Sequence, residues 1–220
     1  MEERRHVIGL TLDRPLDVVA CLGAHADDIE IGAAATITRI ADANPDCRFL
    51  FAIATSNDLR AAEAEASAAK LLGDRVSIEV GDFSDGSLPY EDAAGVKGFF
   101  RSAIEPANPD LVICPTTRDL HQDHRFVAEL AHQIMRDQLI LEYEVHKSDG
   151  DLARPGLYVP LSTAEAMAKL DHLDSHFSSQ QVKPWYNREV FQSLLRLRGV
   201  ECRAPDGYAE AFHAERIVVR

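Results

Sequence analysis

No stretch of the chain approaches the ~20 consecutive apolar residues that a membrane-spanning helix needs, so no membrane span is expected. Cysteine is scarce. Cys21, Cys47, Cys114 and Cys202 form no CxxC pair and no zinc-ribbon spacing, which excludes a disulfide scaffold and a ribbon-type metal site. Cys21 and Cys114 sit inside apolar runs and read as buried thiols. Such usage fits a reducing compartment, and the charged start Met1–Arg5 leads into no apolar stretch of signal-peptide length. A cytoplasmic location is therefore expected. Positive charge is also in deficit: 23 Lys and Arg stand against 36 Asp and Glu, a net charge of -13. A field of that sign repels phosphate backbones and anionic membrane surfaces, so nucleic acid is not an expected partner. A local basic pocket can still take one anionic small molecule. No G-x-G-x-x-G marks a dinucleotide site, and no internal repeat, low-complexity tract or clear linker divides the chain.

What is present is an ordinary globular composition, 46% hydrophobic and 27% charged, on 220 residues. That length supports one domain with a sizeable core. Short β-rich runs alternate with helical patterns: strands at 18–22, 48–54, 76–80, 111–114 and 139–145, helices at 29–43, 58–72, 92–104 and 123–137. Gly73 suits the C-terminal cap of the second helix. This order predicts an α/β fold, a Rossmann-like three-layer sandwich with a mostly parallel sheet. The core spans residues 1–146 and an irregular C-terminal extension spans 147–220, together forming a single domain over 1–220. In the extension, 147–160 reads as a long loop. Ser162 and Glu165 have capping-box spacing and start a helix to about His176. Another helix covers 187–198 and ends at Gly199, and Tyr208–Val219 can add an edge strand. In such sheets ligands bind beyond the strand carboxyl ends, where the strand order reverses. Here that is after Leu22 and after Cys114.

Both places are dense in imidazole and carboxylate: Gly23-Ala24-His25-Ala26-Asp27-Asp28 and Asp119-Leu120-His121-Gln122-Asp123-His124. A DD pair at a helix start ordinarily caps the helix, and an isolated HxDH is often a solvated turn. Their joint placement at adjacent strand ends points instead to one metal site. His25, Asp28 and His124 can supply three ligands and leave a position for water. Asp27 stands beside them, free to take a proton from that water.

His25-Ala26-Asp27-Asp28 resembles the AHPDD motif of the PIG-L (LmbE-like) metal-dependent N-deacetylases, and His121-Gln122-Asp123-His124 resembles their HPDH motif. The resemblance continues through Thr55-Ser56-Asn57-Asp58 with Arg60, the Ala-rich helix to Gly73, the turn Phe83-Ser84-Asp85-Gly86 and the tail Gly207–Phe212. Ala26 and Gln122 replace prolines of the commonest motif forms, and Asn57 stands where many members carry Gly. The resemblance implies a Rossmann-like hydrolase of linear amide C–N bonds that removes acyl groups from amino sugars. It implies Zn2+ as cofactor, with Fe2+ or another divalent metal as the alternative. His25, Asp28 and His124 match the metal ligands and Asp27 the general base. His121 matches the histidine that stabilises the oxyanion, with Asp123 orienting it. Arg60 and Asp85 match positions that hold the sugar. The implied partner is a small N-acylated amino sugar or conjugate. An amidase of a larger sugar or thiol conjugate and a non-catalytic metal-binding module are the alternatives.

Other residues have plainer readings. His172 and His176 lie four apart on a helix and are expected on a solvated face. His6, His132, His146 and His213 lack partners at metal spacing. Arg118 and Asp119 either line the pocket or pair with each other, and Arg125 is expected to anchor nearby carboxylates. One of Glu142, Tyr143 and Glu144 is placed to reach substrate. Tyr158, Trp185 and Tyr186 fit sugar stacking, core packing or a subunit contact equally well, which leaves a homo-oligomer open.

Overall fold

The computed structural model of the chain describes residues 9–11 and 14–218; His6 and Val219 lie outside them. Five strands and four helices alternate first: β1 (Val18–Gly23), α1 (Asp28–Ala43), β2 (Arg48–Ile53), α2 (Asp58–Leu72), β3 (Val76–Val80), α3 (Ala93–Ile104), β4 (Leu111–Pro115), α4 (Gln122–Ile134) and β5 (Leu139–Tyr143). Then come β6 (Leu157–Leu161), α5 (Thr163–His176), α6 (Arg188–Glu201) and β7 (Tyr208–Glu215). One sheet holds all seven described strands in the order β3-β2-β1-β4-β5-β7-β6. β1 to β5 are mutually parallel, and β7 runs antiparallel to both of its neighbours.

The central strands are buried on both faces, which is why β1 and β4 read as unbroken apolar runs rather than alternating ones. Successive side chains still divide between two cores. Val19 and Cys21 join Ile29, Ile37, Ala64, Ala68, Leu170 and Leu173, from α1, α2 and α5. Ala20 and Leu22 join Val96, Phe100, Val127 and Leu130, from α3 and α4. The result is the expected three-layer sandwich. Its order reverses between β1 and β4, with α1 and α4 leaving on opposite faces. Gly32 lets α1 lie close on the sheet, because a Cβ there would stand 2.2 Å from the Tyr143 ring. Tyr143 is itself pinned by donating to the Leu22 carbonyl at 2.7 Å.

The C-terminal segment is more regular than the sequence suggests. The expected loop 147–160 contains the start of β6. Pro155, Gly156 and Pro160 disguise it, and Pro160 is tolerated because β6 is the sheet's edge. β7 is not an edge strand: it fills the place between β5 and β6. α6 does not stop at Gly199 but continues to Glu201. Gly199 serves close packing instead, since a Cβ there would lie 2.2 Å from the Gly207 carbonyl oxygen. The Ser162/Glu165 capping box forms as expected. α4 ends three residues earlier than its pattern implies, at Ile134. Among the described residues, no helix is long and apolar enough to cross a membrane.

Candidate metal centre and active site

The turn after β1 and the N-terminus of α4 meet because β1 and β4 are neighbours. Asp27 occupies the N-cap of α1 but makes no capping hydrogen bond with its side chain. Asp28 instead closes the turn, its Oδ2 accepting from the Ala24 and His25 amides at 3.0 and 2.8 Å. The carboxylate is thereby fixed beneath two imidazoles. His25 Nδ1 and His124 Nε2 lie 3.0 Å apart. Asp28 Oδ2 is 3.4 Å from the first and Oδ1 is 3.3 Å from the second. Ligands of a four-coordinate metal with bonds of ~2.0–2.1 Å lie roughly 3.3 Å from one another. The three donors therefore already have the spacing that one small cation imposes.

The outward nitrogens settle what the inward ones offer. His124 Nδ1 faces Asp119 Oδ2 at 2.8 Å, and His25 Nε2 faces Asp85 Oδ1 at 2.9 Å with Asp123 Oδ2 at 3.4 Å. Carboxylates accept, so each outer nitrogen carries the hydrogen. Two lone pairs and a carboxylate then converge on one point. Held this way, a histidine is tautomerically fixed as a metal ligand. Without a cation the arrangement demands a proton. Burial works against protonating His25, but Asp28, Asp123 and Asp85 outweigh it and hold the ring well above the usual histidine range. At His124, burial is likewise outweighed by Asp28 and Asp119, which raise it to about 9. Asp27, Asp28, Asp85, Asp119 and Asp123 put five carboxylates around the centre, with Arg60, Lys147 and Lys183 among the cations beside them. Donor chemistry, spacing and charge all fit a divalent ion held by His25, Asp28 and His124. His121 stands close enough to join a set with His25 and His124. Its Nδ1, however, accepts from the Asp123 amide at 3.3 Å, as an N-cap of α4.

That bond leaves the neutral His121 ring with its hydrogen on Nε2. Burial, and then the neighbouring His124 and His25, lower its pKa and keep it neutral. Asp27 Oδ1 accepts from Arg60 at 2.8 Å, while Oδ2 is buried with no hydrogen-bond partner. Burial and then Asp28 push its pKa up, against Arg60 and His25. Arg60 is aimed by its own helix start: Asn57 caps α2 by accepting from the Arg60 amide at 3.0 Å. A second guanidinium nitrogen lies 3.6 Å from Asp85, which is half exposed and held below the usual carboxylate range, chiefly by its bond to His25.

Asp123 departs from its expected role. Its carboxylate makes no hydrogen bond to the His121 ring; it accepts from the Gly86 and Leu88 amides at 2.7 and 3.2 Å. It thus pins the turn that carries Asp85. Other expectations also change. Asp119 pairs not with Arg118 but with His124 and Lys147. Arg125 donates to the carbonyls of Asp119 and Leu120 rather than to carboxylates. None of the candidates at 142–144 hydrogen-bonds into the site: Glu142 meets His132 at 2.6 Å, Tyr143 meets Leu22, and Glu144, just past β5, meets Arg198 at 2.7 Å. His172 is buried rather than solvated, bonded to Ser67 at 2.8 Å. The sequence places Asp119 at the pocket or on Arg118 but not on His124, although its spacing of five residues before His124 is the available signal. Lys147 carried no signal.

A cavity of about 230 Å³ opens over the centre, lined by the residues above and by Val145, Lys147, Ser148, Asp149, Lys183 and Trp185. Residues 20–135 match the sequence family PIG-L, described as GlcNAc-PI de-N-acetylase. Solved structures similar to this chain include the following three. N,N'-diacetylchitobiose deacetylase from Pyrococcus horikoshii is 23% identical, with a TM-score of 0.70 over 93% of this chain and 87% of that one. The zinc-inhibited form of teicoplanin deacetylase Orf2 is 17% identical, with a TM-score of 0.71 over 90% and 97%. GalB, the 4-carboxy-2-hydroxymuconate hydratase from Pseudomonas putida KT2440, is 17% identical, with a TM-score of 0.70 over 93% and 99%. At these identities the likeness is one of fold. A search of curated proteins finds no match.

Proposed function

We propose that the chain, which belongs to the PIG-L family of GlcNAc-PI de-N-acetylases, removes the N-acetyl group of a small amino sugar or amino-sugar conjugate in a metal-dependent hydrolysis. One observation carries this reading. Two buried imidazole nitrogens 3.0 Å apart, each ring backed by a carboxylate, converge beside the partnerless Oδ2 of Asp27. A module that only held a metal would have no use for that buried, unsatisfied oxygen.

His25, Asp28 and His124 hold the ion, Zn2+ first and Fe2+ as the alternative. Bound there, it supplies Lewis acidity, making water acidic near neutral pH and polarising the amide carbonyl. Asp27 takes the proton of the attacking water on Oδ2, while Arg60 fixes the other oxygen and so the direction of the base. His121 offers its Nε2 hydrogen to the oxygen on which negative charge develops, held in that tautomer by the Asp123 amide. Collapse breaks the C–N bond. The leaving nitrogen takes its proton from Asp27, which holds the one abstracted from the water, since the neutral His121 ring has no acidic proton to give, and acetate and the free amine depart. Arg60 and the exposed carboxylate of Asp85 hold sugar hydroxyls, and Trp185 offers a face for the ring. The cavity equals roughly eight water volumes at ~30 Å³ each. That leaves room over the centre for a single sugar ring with its acetyl group. Four free cysteines accord with a cytoplasmic enzyme.

The test strips the purified protein of metal, titrates divalent ions back and follows amine release from a panel of N-acetylated sugars. Titration matters because one structural neighbour is described in a zinc-inhibited form. Turnover that appears only with added metal supports the reading. Tight metal binding with no amide cleavage on any substrate overturns it in favour of a binding module.

A further inference from the structure

We propose that Lys147 is a positioning residue of the metal centre, an internal cation that fixes Asp119 and, through it, the His124 ring. The inference rests on the metal-dependent reading above. Lys147 lies beyond β5 on the segment that walls the cavity, yet its side chain is only 8% exposed. Its ammonium stands 2.6 Å from Asp119 Oδ1, 3.2 Å from Asp151 Oδ2 and 3.6 Å from Asp149 Oδ2. It also donates to the Val145 carbonyl at 3.3 Å. The three carboxylates lie close enough together to cage a cation. The chain fills that cage with its own ammonium.

Asp119 divides its oxygens between the two halves of the site. Oδ1 accepts from Lys147 and from the His121 amide, the latter at 2.7 Å, and Oδ2 accepts from His124 Nδ1 at 2.8 Å. With Lys147 in place the carboxylate cannot turn without breaking all three contacts. His124 is then locked with its hydrogen outward and its Nε2 lone pair towards His25 and Asp28. Asp151 closes the loop by accepting from both Lys147 and the Leu120 amide, at 3.2 and 2.8 Å. Segments 119–124 and 145–151 are thereby clamped across one buried charge. Removing that charge leaves Asp119, 3% exposed, facing His124 with Oδ1 held by a single amide. The carboxylate then keeps one of its two partners on Oδ1, and it and the ligand ring are held less firmly. Groups that orient a ligand in this way typically alter metal affinity by ~10–100-fold.

The experiment measures zinc affinity, by competition with a chromophoric chelator, for the wild type, Lys147→Met, Asp119→Asn and the double variant, with Co2+ absorption as a second readout of the ligand field. Lys147→Met is expected to bind zinc ~10–100-fold more weakly and to change the Co2+ spectrum. The double variant is expected to match Asp119→Asn within about 3-fold, because residues acting through one contact are not additive. Lys147→Gln, which removes the charge but keeps a hydrogen-bond donor towards Asp119, takes the place of Lys147→Met in the cycle if that variant fails to fold. Losses that multiply in the double variant, or a folded Lys147→Met with wild-type affinity and spectrum, overturn the positioning role and leave the metal reading standing. A wild type that binds no divalent ion overturns both.

Discussion

Replacing Asp27 with Asn separates proton abstraction from metal binding. Asp27 Oδ1 is held by Arg60 at 2.8 Å, so Oδ2 alone is free to act as a base. In Asp27→Asn the amide oxygen keeps the Arg60 contact, and an NH2 group, which only donates, takes the place of Oδ2. No neighbour can substitute: Asp28 Oδ2 is held by two amides, and His121 Nδ1 by a third. A positioned general base contributes ~10²–10⁴-fold, which is about 3–5 kcal/mol at ~1.4 kcal/mol per decade. The expected result is a kcat lower by that factor, with KM and metal content near the wild-type values. Initial rates of amine release at saturating metal, with elemental analysis of the same sample, provide the assay. A kcat within tenfold of wild type at full metal occupancy would place the base elsewhere. Loss of the metal along with the activity would make Asp27 a ligand.

Two further substitutions probe the scaffold. Burial, opposed by the Ser67 hydroxyl, raises the Glu30 pKa to about 8, so the folded protein holds a proton there that the unfolded chain releases near pH 4.5. Stability from this group is complete below pH 4.5 and is lost as pH rises towards 8. In metal-free protein, Glu30→Gln should therefore gain on wild type by ~3 kcal/mol between pH 6 and pH 9, at ~1.4 kcal/mol per pH unit until the folded group ionises. Urea unfolding at the two pH values checks this, and an unchanged difference contradicts it. Gly199→Ala forces a methyl onto the Gly207 and Tyr208 main chain, at 2.2–2.5 Å, where no rotamer gives relief. Overpacking of that kind costs ~1–3 kcal/mol, or a fall in Tm of roughly 2–12 °C at this chain length; a wild-type Tm means that α6 moves away freely.

The first five strands and four helices were legible because every signal agreed. Doubly buried strands such as 111–114 are unbroken apolar runs, and α2 begins at a capping Asn57 and ends at Gly73 with φ 63°. In the C-terminal third the local signals misled. Pro160 argued against a strand that is permitted only because it lies at the edge, and no local pattern tells that β7 inserts between β5 and β6. Gly199 read as a stop although its purpose is a contact with residues beyond its helix. The site divides in the same way. His25, Asp28 and His124 were found together because β–α order alone brings the ends of β1 and β4 side by side. The contacts that hold them were not: Asp85 and Asp123 were expected to meet the sugar and His121, Lys147 carried no signal, and all three act across sequence separations that leave no spacing to read. Asp123 is matched to His121 by the family resemblance alone; its carboxylate's hold on the 86–88 turn spans 35 to 37 residues and leaves no spacing to read.

The central claim, one divalent ion held by His25, Asp28 and His124, is tested most directly by a crystal structure of the metal-loaded protein with anomalous diffraction at the metal's absorption edge. The expected map has one strong peak bonded to His25 Nδ1, His124 Nε2 and an Asp28 oxygen, with the Asp27 Oδ2 left uncoordinated beside it. A map with no peak between the two imidazoles, in protein crystallised at saturating metal, would contradict the account.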